Sequence, residues 1–250
     1  MNPEEYQRLA NVDHEHWFYR GKRHIVKYWI DHYIKLTRES LLIDAGTGTG
    51  IWPLSMGKLC QVLGIDGSEE SLRLARPRLE SVGGKVMQSG LQRVDLPDRV
   101  ATVITLLDVL EHLEKPEEAF LEMLRLTKPG GLIVVTVPAL PCLWSDWDVA
   151  LHHYRRYTKK TLLSTLCHPG GEMLHCAYFN TLMLPAVAVI RGYRRLRPAP
   201  VGGKRMEDEI PNKFINETLF RLMTWPACHR WVPAPLGVSL LAVVRRTSRI

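Results

Sequence analysis

Three glycines spaced two apart, Gly46, Gly48 and Gly50, follow Asp44 at the end of the apolar run Leu41–Ile43. Glycine at such a point lets the backbone enter conformations closed to other residues and lets a ligand come within contact distance of the main chain. Three further groups could do chemistry. Asp66 closes the run QVLGID, and Asp108, Glu111 and His112 close the run VATVITLLDVLEHL. The stretch PALPCLWSDWDVALHHYRRYT then concentrates Trp144, Asp146, Trp147, Asp148, His152, His153, Tyr154, Arg155, Arg156 and Tyr157. Carboxylates accept from sugar hydroxyls, and imidazoles take protons near neutral pH. Guanidinium groups hold anions, and aromatic rings wall a pocket.

The elements that must position these groups can be read from the same rows. Leu41–Asp44 predicts a buried parallel strand breaking into a tight glycine turn, with Pro53 in the first turn of the next helix, where its missing N–H does no harm. A dinucleotide fingerprint would need a small residue at position 51, and Ile51 argues against it. Asp66 ends a second strand at close to the roughly 20-residue distance from which a carboxylate reaches ribose hydroxyls in open α/β sites. Ser68 suits the N-cap of the following helix, which Pro77 would kink or end. KVMQSG predicts a third strand, and the near-continuous apolar run before Asp108 predicts a fourth, covered on both faces. Thr158 suits the cap of a helix after the aromatic stretch, with further strands at Met173–Phe179 and Gly237–Arg246.

The spacing Asp44-x-Gly46-x-Gly48-x-Gly50 resembles motif I of the class I S-adenosylmethionine-dependent methyltransferases. D-V-L-E-H-L resembles motif IV of their small-molecule members, and Leu126–Pro138 resembles their next helix end and fifth strand. W-S-D-x-D-x-A-L-x-H-Y-R-R-Y-T is similar to a bacterial subgroup in which a glycine more often stands where this chain has His152.

The resemblance implies an α/β Rossmann-like fold: a seven-stranded, mostly parallel sheet with helices on both faces and an antiparallel last strand. It implies S-adenosylmethionine as cofactor, with Gly46, Thr47, Gly48 and Gly50 against the methionine part and Asp44 orienting it. Asp66 and Gly67 would meet the ribose, and Asp108 would stand at the mouth of the site. Many relatives carry an acidic residue for the adenine where this chain has Ser89, Gly90 and Leu91, so backbone around Gly90 and Leu91 is the expected base contact. H-W-F-x-x-G-x-R near the N-terminus resembles a cap in which Trp17 would cover the cofactor and Arg20 clamp its carboxylate. Trp144, Trp147, Tyr154 and Arg156 are expected in the acceptor pocket, and His153 is preferred to His112 as a base. A metal site from His14, His16, His152 and His153 fits no usual ligand spacing, so none is expected.

The chain of 250 residues suits one domain with an appendage, and its formal charge of +7 favours an acidic or anionic partner. Five cysteines without C-x-x-C pairing, and a polar N-terminus, point to a reducing, cytoplasmic setting. Residues 1–40 form the expected helical cap, 41–180 and 236–250 the core, and 181–235 a basic, apolar helical insertion. The insertion could roof a hydrophobic acceptor, touch an anionic membrane surface through 181–205, or form a homodimer contact. No N-P-P-[YF] motif or basic module speaks for nucleic acid. The expected activity is methyl transfer to a small hydrophobic or anionic acceptor. The alternative is an S-adenosylmethionine-binding protein with other chemistry or a regulatory or scaffold role.

Overall fold

The structure is a computed structural model that describes residues 3–196, 209–229 and 235–248. Seven strands form one sheet in the order β3-β2-β1-β4-β5-β7-β6. The central strands are β1 (Leu41–Ala45) and β4 (Ala101–Leu107), flanked by β2 (Gln61–Asp66) and β3 (Lys85–Gln88) on one side. On the other side stand β5 (Thr127–Pro138), β7 (Ser239–Arg246) and β6 (Gly171–Phe179). β7 runs antiparallel to both β5 and β6, while the pairs among β1 to β5 are parallel.

Alternation along buried strands sends successive side chains to opposite faces. On β5, Ile133, Val135 and Val137 join one core layer with Phe120 and Met123 of α5 (Pro116–Leu126). Leu132 and Val134 join the other, with Trp29 and Ile30 of α2 (Trp17–Tyr33) and Trp52 of α3 (Ile51–Met56). Both faces are therefore covered, as the apolar composition of β4 requires. α4 (Glu69–Glu80) follows β2, capped by Ser68, whose side chain accepts from the Ser71 N–H. Pro77 lies inside that helix without ending it.

The N-terminal cap is α1 (Pro3–Val12) followed by α2. The insertion supplies α8 (Leu184–Leu196) and α9 (Lys213–Ala227), after the short α6 (Asp146–Ala150) and α7 (Lys159–Thr165). Pro185 sits in the first turn of α8, where proline is tolerated. Of 181–205, the stretch expected at a membrane surface, residues 197–205 lie outside the described ones. No helix among the described residues is long and apolar enough to cross a membrane.

α9 does not stand apart from the cap. Trp29 Nε1 donates to the Ala227 carbonyl at 3.1 Å. Asn216 accepts from the Trp17 N–H at 2.8 Å and donates to the Glu15 carbonyl at 2.9 Å. Cap and insertion thus pack against each other along α2 and α9.

Candidate active site

The strand order reverses between β1 and β4, and ligands in open α/β sheets gather beyond the carboxyl ends at such a point. A cavity of about 940 Å³ opens there. Its floor is the glycine loop with Asp44, Asp66 and Asp108, and its roof comes from α2, α8, α9 and the loop around Trp147.

The floor is set by backbone geometry. Gly50 has φ +76°, and a Cβ there would meet Ala75 at 2.8 Å, so this glycine lets α4 close on the loop rather than touching a ligand. Gly48, φ +53°, has open space where its side chain would be and lines the cavity. Asp66 holds the loop in place: Oδ2 accepts from the Gly48 N–H at 3.0 Å and the Ser71 hydroxyl at 2.8 Å. Its Oδ1 accepts from the Ser68 N–H at 2.9 Å. A carboxylate has about four acceptor sites, so three partners leave capacity for roughly one more.

Asp44 is buried and accepts from Thr105 Oγ1 at 2.7 Å, which in turn accepts from Trp52 Nε1 at 3.0 Å. Burial pushes the Asp44 carboxyl up to about 7, against the help of Thr105, and the Asp66 charge adds to the rise. An apolar enclosure that protonates its own carboxyl near neutrality is suited to a cationic visitor. Asp108 is the opposite case. Burial would raise it, but Lys22 of α2 contacts its Oδ2 and Thr136 donates to its Oδ1 at 2.9 Å, so it stays below the usual carboxylate range.

At the end of the cavity lined by Trp147, Asp148 is fully buried behind the wall. Its Oδ1 lies 3.0 Å from His153 Nδ1 and accepts from Arg156 Nε at 2.7 Å. Its Oδ2 accepts from the Ser145 N–H at 3.0 Å and from Arg191 Nη1 at 3.1 Å. Burial alone would raise Asp148, but His153, Arg156 and Arg191 together hold it well below the usual carboxylate range. An ionised carboxylate can only accept, so Nδ1 of His153 carries a hydrogen toward it, and in the neutral ring Nε2 is the nitrogen with the lone pair. The His112 ring stands 4.6 Å from that of His153 in an edge-to-face arrangement. Burial, with the neighbouring His153, lowers His112 to about 4, so it is neutral at physiological pH.

Placement of the expected site residues divides cleanly. Trp17, Asp44, Gly46, Thr47, Gly48, Asp66, Gly67, Gly90, Leu91, Asp108, His112, Trp147, His153 and Arg156 all line the one cavity. Gly50, Arg20, Trp144 and Tyr154 do not. Arg20 faces α9, pairing with Glu217 at 3.3 Å and lying 4.7 Å over the Phe220 ring. Tyr154 is 58% exposed and meets the site only through its backbone N–H, which donates to the Glu111 carbonyl at 2.7 Å. Lys22, Asp13 and Asn180, which the sequence did not single out, line the cavity as well, as do Arg23, which closes the H-W-F-x-x-G-x-R cap motif, and Arg191 of the basic insertion. A cation one turn past the aromatic cluster of the cap was the available signal for Lys22.

Asp13 Oδ1, both oxygens of Glu111 and Asn180 Oδ1 are buried without hydrogen-bond partners, and all three residues line this cavity. Burial, with Asp108 beside it, raises the Glu111 carboxyl well above its ordinary value, so that group can donate as well as accept, and the concentration of unpartnered polar atoms here fits a polar ligand. Glu111, His112 and His153 also place one ligand-type atom each within 4.8 Å of one another, a donor set of the kind that takes a divalent cation.

A cleft at the switch point, floored by a glycine loop and strand-end carboxylates, defines a cofactor site of the Rossmann-like class I type. Residues 43–135 match the methyltransferase domain family. The chain is 26% identical over 196 residues to the ubiquinone biosynthesis O-methyltransferase of Azoarcus sp. (strain BH72), covering 68% of this chain and 82% of that one. It is 32% identical over 112 residues to the protein of the same name from Dechloromonas aromatica (strain RCB), covering 43% of this chain and 48%, about half, of the relative. The geranyl diphosphate C-methyltransferase of Streptomyces coelicolor A3(2), solved with S-adenosyl-L-homocysteine, superposes with a TM-score of 0.59 at 14% identity, covering 89% of this chain and 78% of that one. The chain carries an S-adenosylmethionine-dependent methyltransferase domain, with that compound as its cofactor.

Proposed function

We propose that the protein transfers a methyl group to a hydroxyl oxygen of a hydrophobic small molecule held between the Trp147 loop and the roof of α8 and α9. One observation carries the reading: a cavity-lining imidazole, His153, is held through Nδ1 by an ionised carboxylate, beside an apolar wall of Trp147, Leu151, Ala186, Val187 and Ile190. The names of the two relatives, both O-methyltransferases, favour oxygen as the atom modified.

The cofactor would supply an activated methyl group on a sulfonium. The glycine loop and Asp66 would hold its polar end by main-chain and carboxylate contacts, Asp44 would face its cationic groups, and Gly90 and Leu91 would meet the base. Trp17 and the cap close the cavity from water, so that alignment and dehydration supply most of the rate gain. His153 takes the acceptor proton at Nε2, and Asp148 stabilises the imidazolium that forms. His112, kept neutral, adds no competing charge beside it.

The test is a screen of hydrophobic phenols and alcohols with methyl-labelled cofactor, followed by His153→Ala on any acceptor found. Loss of proton removal is expected to lower kcat by about 10²- to 10⁴-fold with S-adenosylhomocysteine affinity unchanged. Undiminished turnover would remove the base. Tight cofactor binding with no acceptor turned over would favour a binding or regulatory role.

A further inference from the structure

We propose that Asp148 is a positioning residue that couples the roof to the base: Arg191 of α8 and Nδ1 of His153 are held by one carboxylate, so α8 seats over the acceptor space only when the imidazole is aligned. The inference rests on the reading of His153 as the base and adds the element that controls it.

Three separate parts of the chain converge on this side chain. Ser145, seven residues past the end of β5, and Asp148 form a capping box at the start of α6. His153 and Arg156 come from the segment after that helix, and Arg156 Nη1 is tied down by the Ala139 carbonyl at 2.9 Å. Arg191 comes from the insertion, and its Nη1 also contacts the Leu143 carbonyl and, at 3.3 Å, Ser145 Oγ. Every acceptor site of the Asp148 carboxylate is in use. It cannot turn to suit one partner without loosening the others, and in a buried, low-dielectric setting a loosened partner is costly.

An anchor matters for α8 because its inner face borders the cavity. Ala186, Val187 and Ile190 line the cavity at helical spacing, while Val189 is 73% and Tyr193 59% exposed on the outer side. The inner face of α8 therefore rests on acceptor space, and an acceptor would complete its packing. Arg191, next to Ile190, carries that seating to the carboxylate behind the wall. Asp148 itself does not line the cavity. Its effect on the reaction passes through His153.

The coupling can be read without knowing the acceptor. In the full chain labelled with ¹⁵N-histidine, His153 is expected to show a single Nδ1–H tautomer with a slowly exchanging ring proton. Arg191→Ala should mix the tautomers and speed that exchange at least about tenfold, as local opening of the loop would. Arg191→Lys should recover part of the protection, since an ammonium can still meet the carboxylate. Far-ultraviolet circular dichroism and S-adenosylhomocysteine affinity check that the variants fold. Wild-type exchange and tautomer in a folded Arg191→Ala protein would overturn the coupling. Asp148→Asn, where it folds, should lose the tautomer preference outright, and its retention would count equally against the proposal. The two readings separate: an active His153→Ala enzyme removes the base while the Arg191 effect on exchange stands, and unchanged exchange removes the coupling while the base stands.

Discussion

The two ends of the cavity are built on different principles. The end proposed for the cofactor uses main-chain turns at the tips of neighbouring parallel strands, with Asp66 fastening a loop only 18 residues away in sequence. The end proposed for the acceptor uses side chains brought together from the loop after β5 and from an insertion 43 residues further on, joined at Asp148. The first arrangement is fixed once the sheet forms. The second depends on α8 finding its place.

The sharpest way to test that division is to damage one end and measure the other. Asp66→Ala removes the proposed ribose acceptor and also the partner of the Gly48 and Ser68 N–H groups and the Ser71 hydroxyl. Hydrogen bonds to a charged group are worth about 1.5–3 kcal/mol each, so cofactor affinity should fall by on the order of 100-fold or more. The acceptor-end variants should leave it unchanged. Calorimetric titration with S-adenosylhomocysteine decides this, and unchanged affinity in Asp66→Ala would withdraw the ribose assignment.

A second test uses pH. Asp44 in the folded protein is raised from its ordinary value of 3.8 to about 7, with burial the main cause. For an acid the raised value means that the folded protein holds a proton which the unfolded chain has released. This group's contribution to stability without cofactor is therefore full below about pH 4, declines as pH rises towards 7, and is flat above. A cationic ligand beside Asp44 favours the charged form, so binding should release a proton below pH 7. Cofactor affinity should then rise with pH, by at most about tenfold per unit, and level off above 7. Titrations in two buffers of different ionisation enthalpy count the proton directly. Asp44→Asn should abolish the dependence, and an affinity indifferent to pH in the parent protein would place the cation elsewhere.

The same contrast explains what the sequence disclosed. Strand, glycine turn and helix start lie within Leu41–Met56, where turn chemistry and period are local, so the floor of the site could be placed residue by residue. The acceptor loop could be recognised as chemically rich, but not resolved. Asp148 pairs with the nearby Arg156, while the adjacent Arg155 instead donates to the Leu113 and Glu114 carbonyls. Nothing local announces that Arg191 completes the set. Likewise Asn216 and Trp17 are 199 residues apart, and only the packing of α9 on α2 brings them to 2.8 Å. Pairings of that range depend on tertiary packing, which hydrophobic period and cap residues do not specify.

The smallest expected effect concerns Arg20, where resemblance and geometry part. The cap motif suggests a guanidinium clamp on the cofactor carboxylate, whereas the structure engages Arg20 with Glu217 and Phe220 on α9, outside the cavity lining. Lys22, two residues on, reaches Asp108 at the cavity and lies 4.8 Å over the Phe18 ring. Both partners of the Arg20 pair are more than a third exposed at their side chains or close to it, 34% and 40%, a setting in which ion pairs contribute about 0–1 kcal/mol. Arg20→Ala should therefore change cofactor affinity by less than about threefold, with at most a small loss of cap stability. A loss comparable to that of Asp66→Ala would mean that the cap turns on binding and delivers Arg20 to the carboxylate. The cofactor end would then depend on a moving, side-chain-built element as the acceptor end does, and the division between them would fail at the cap.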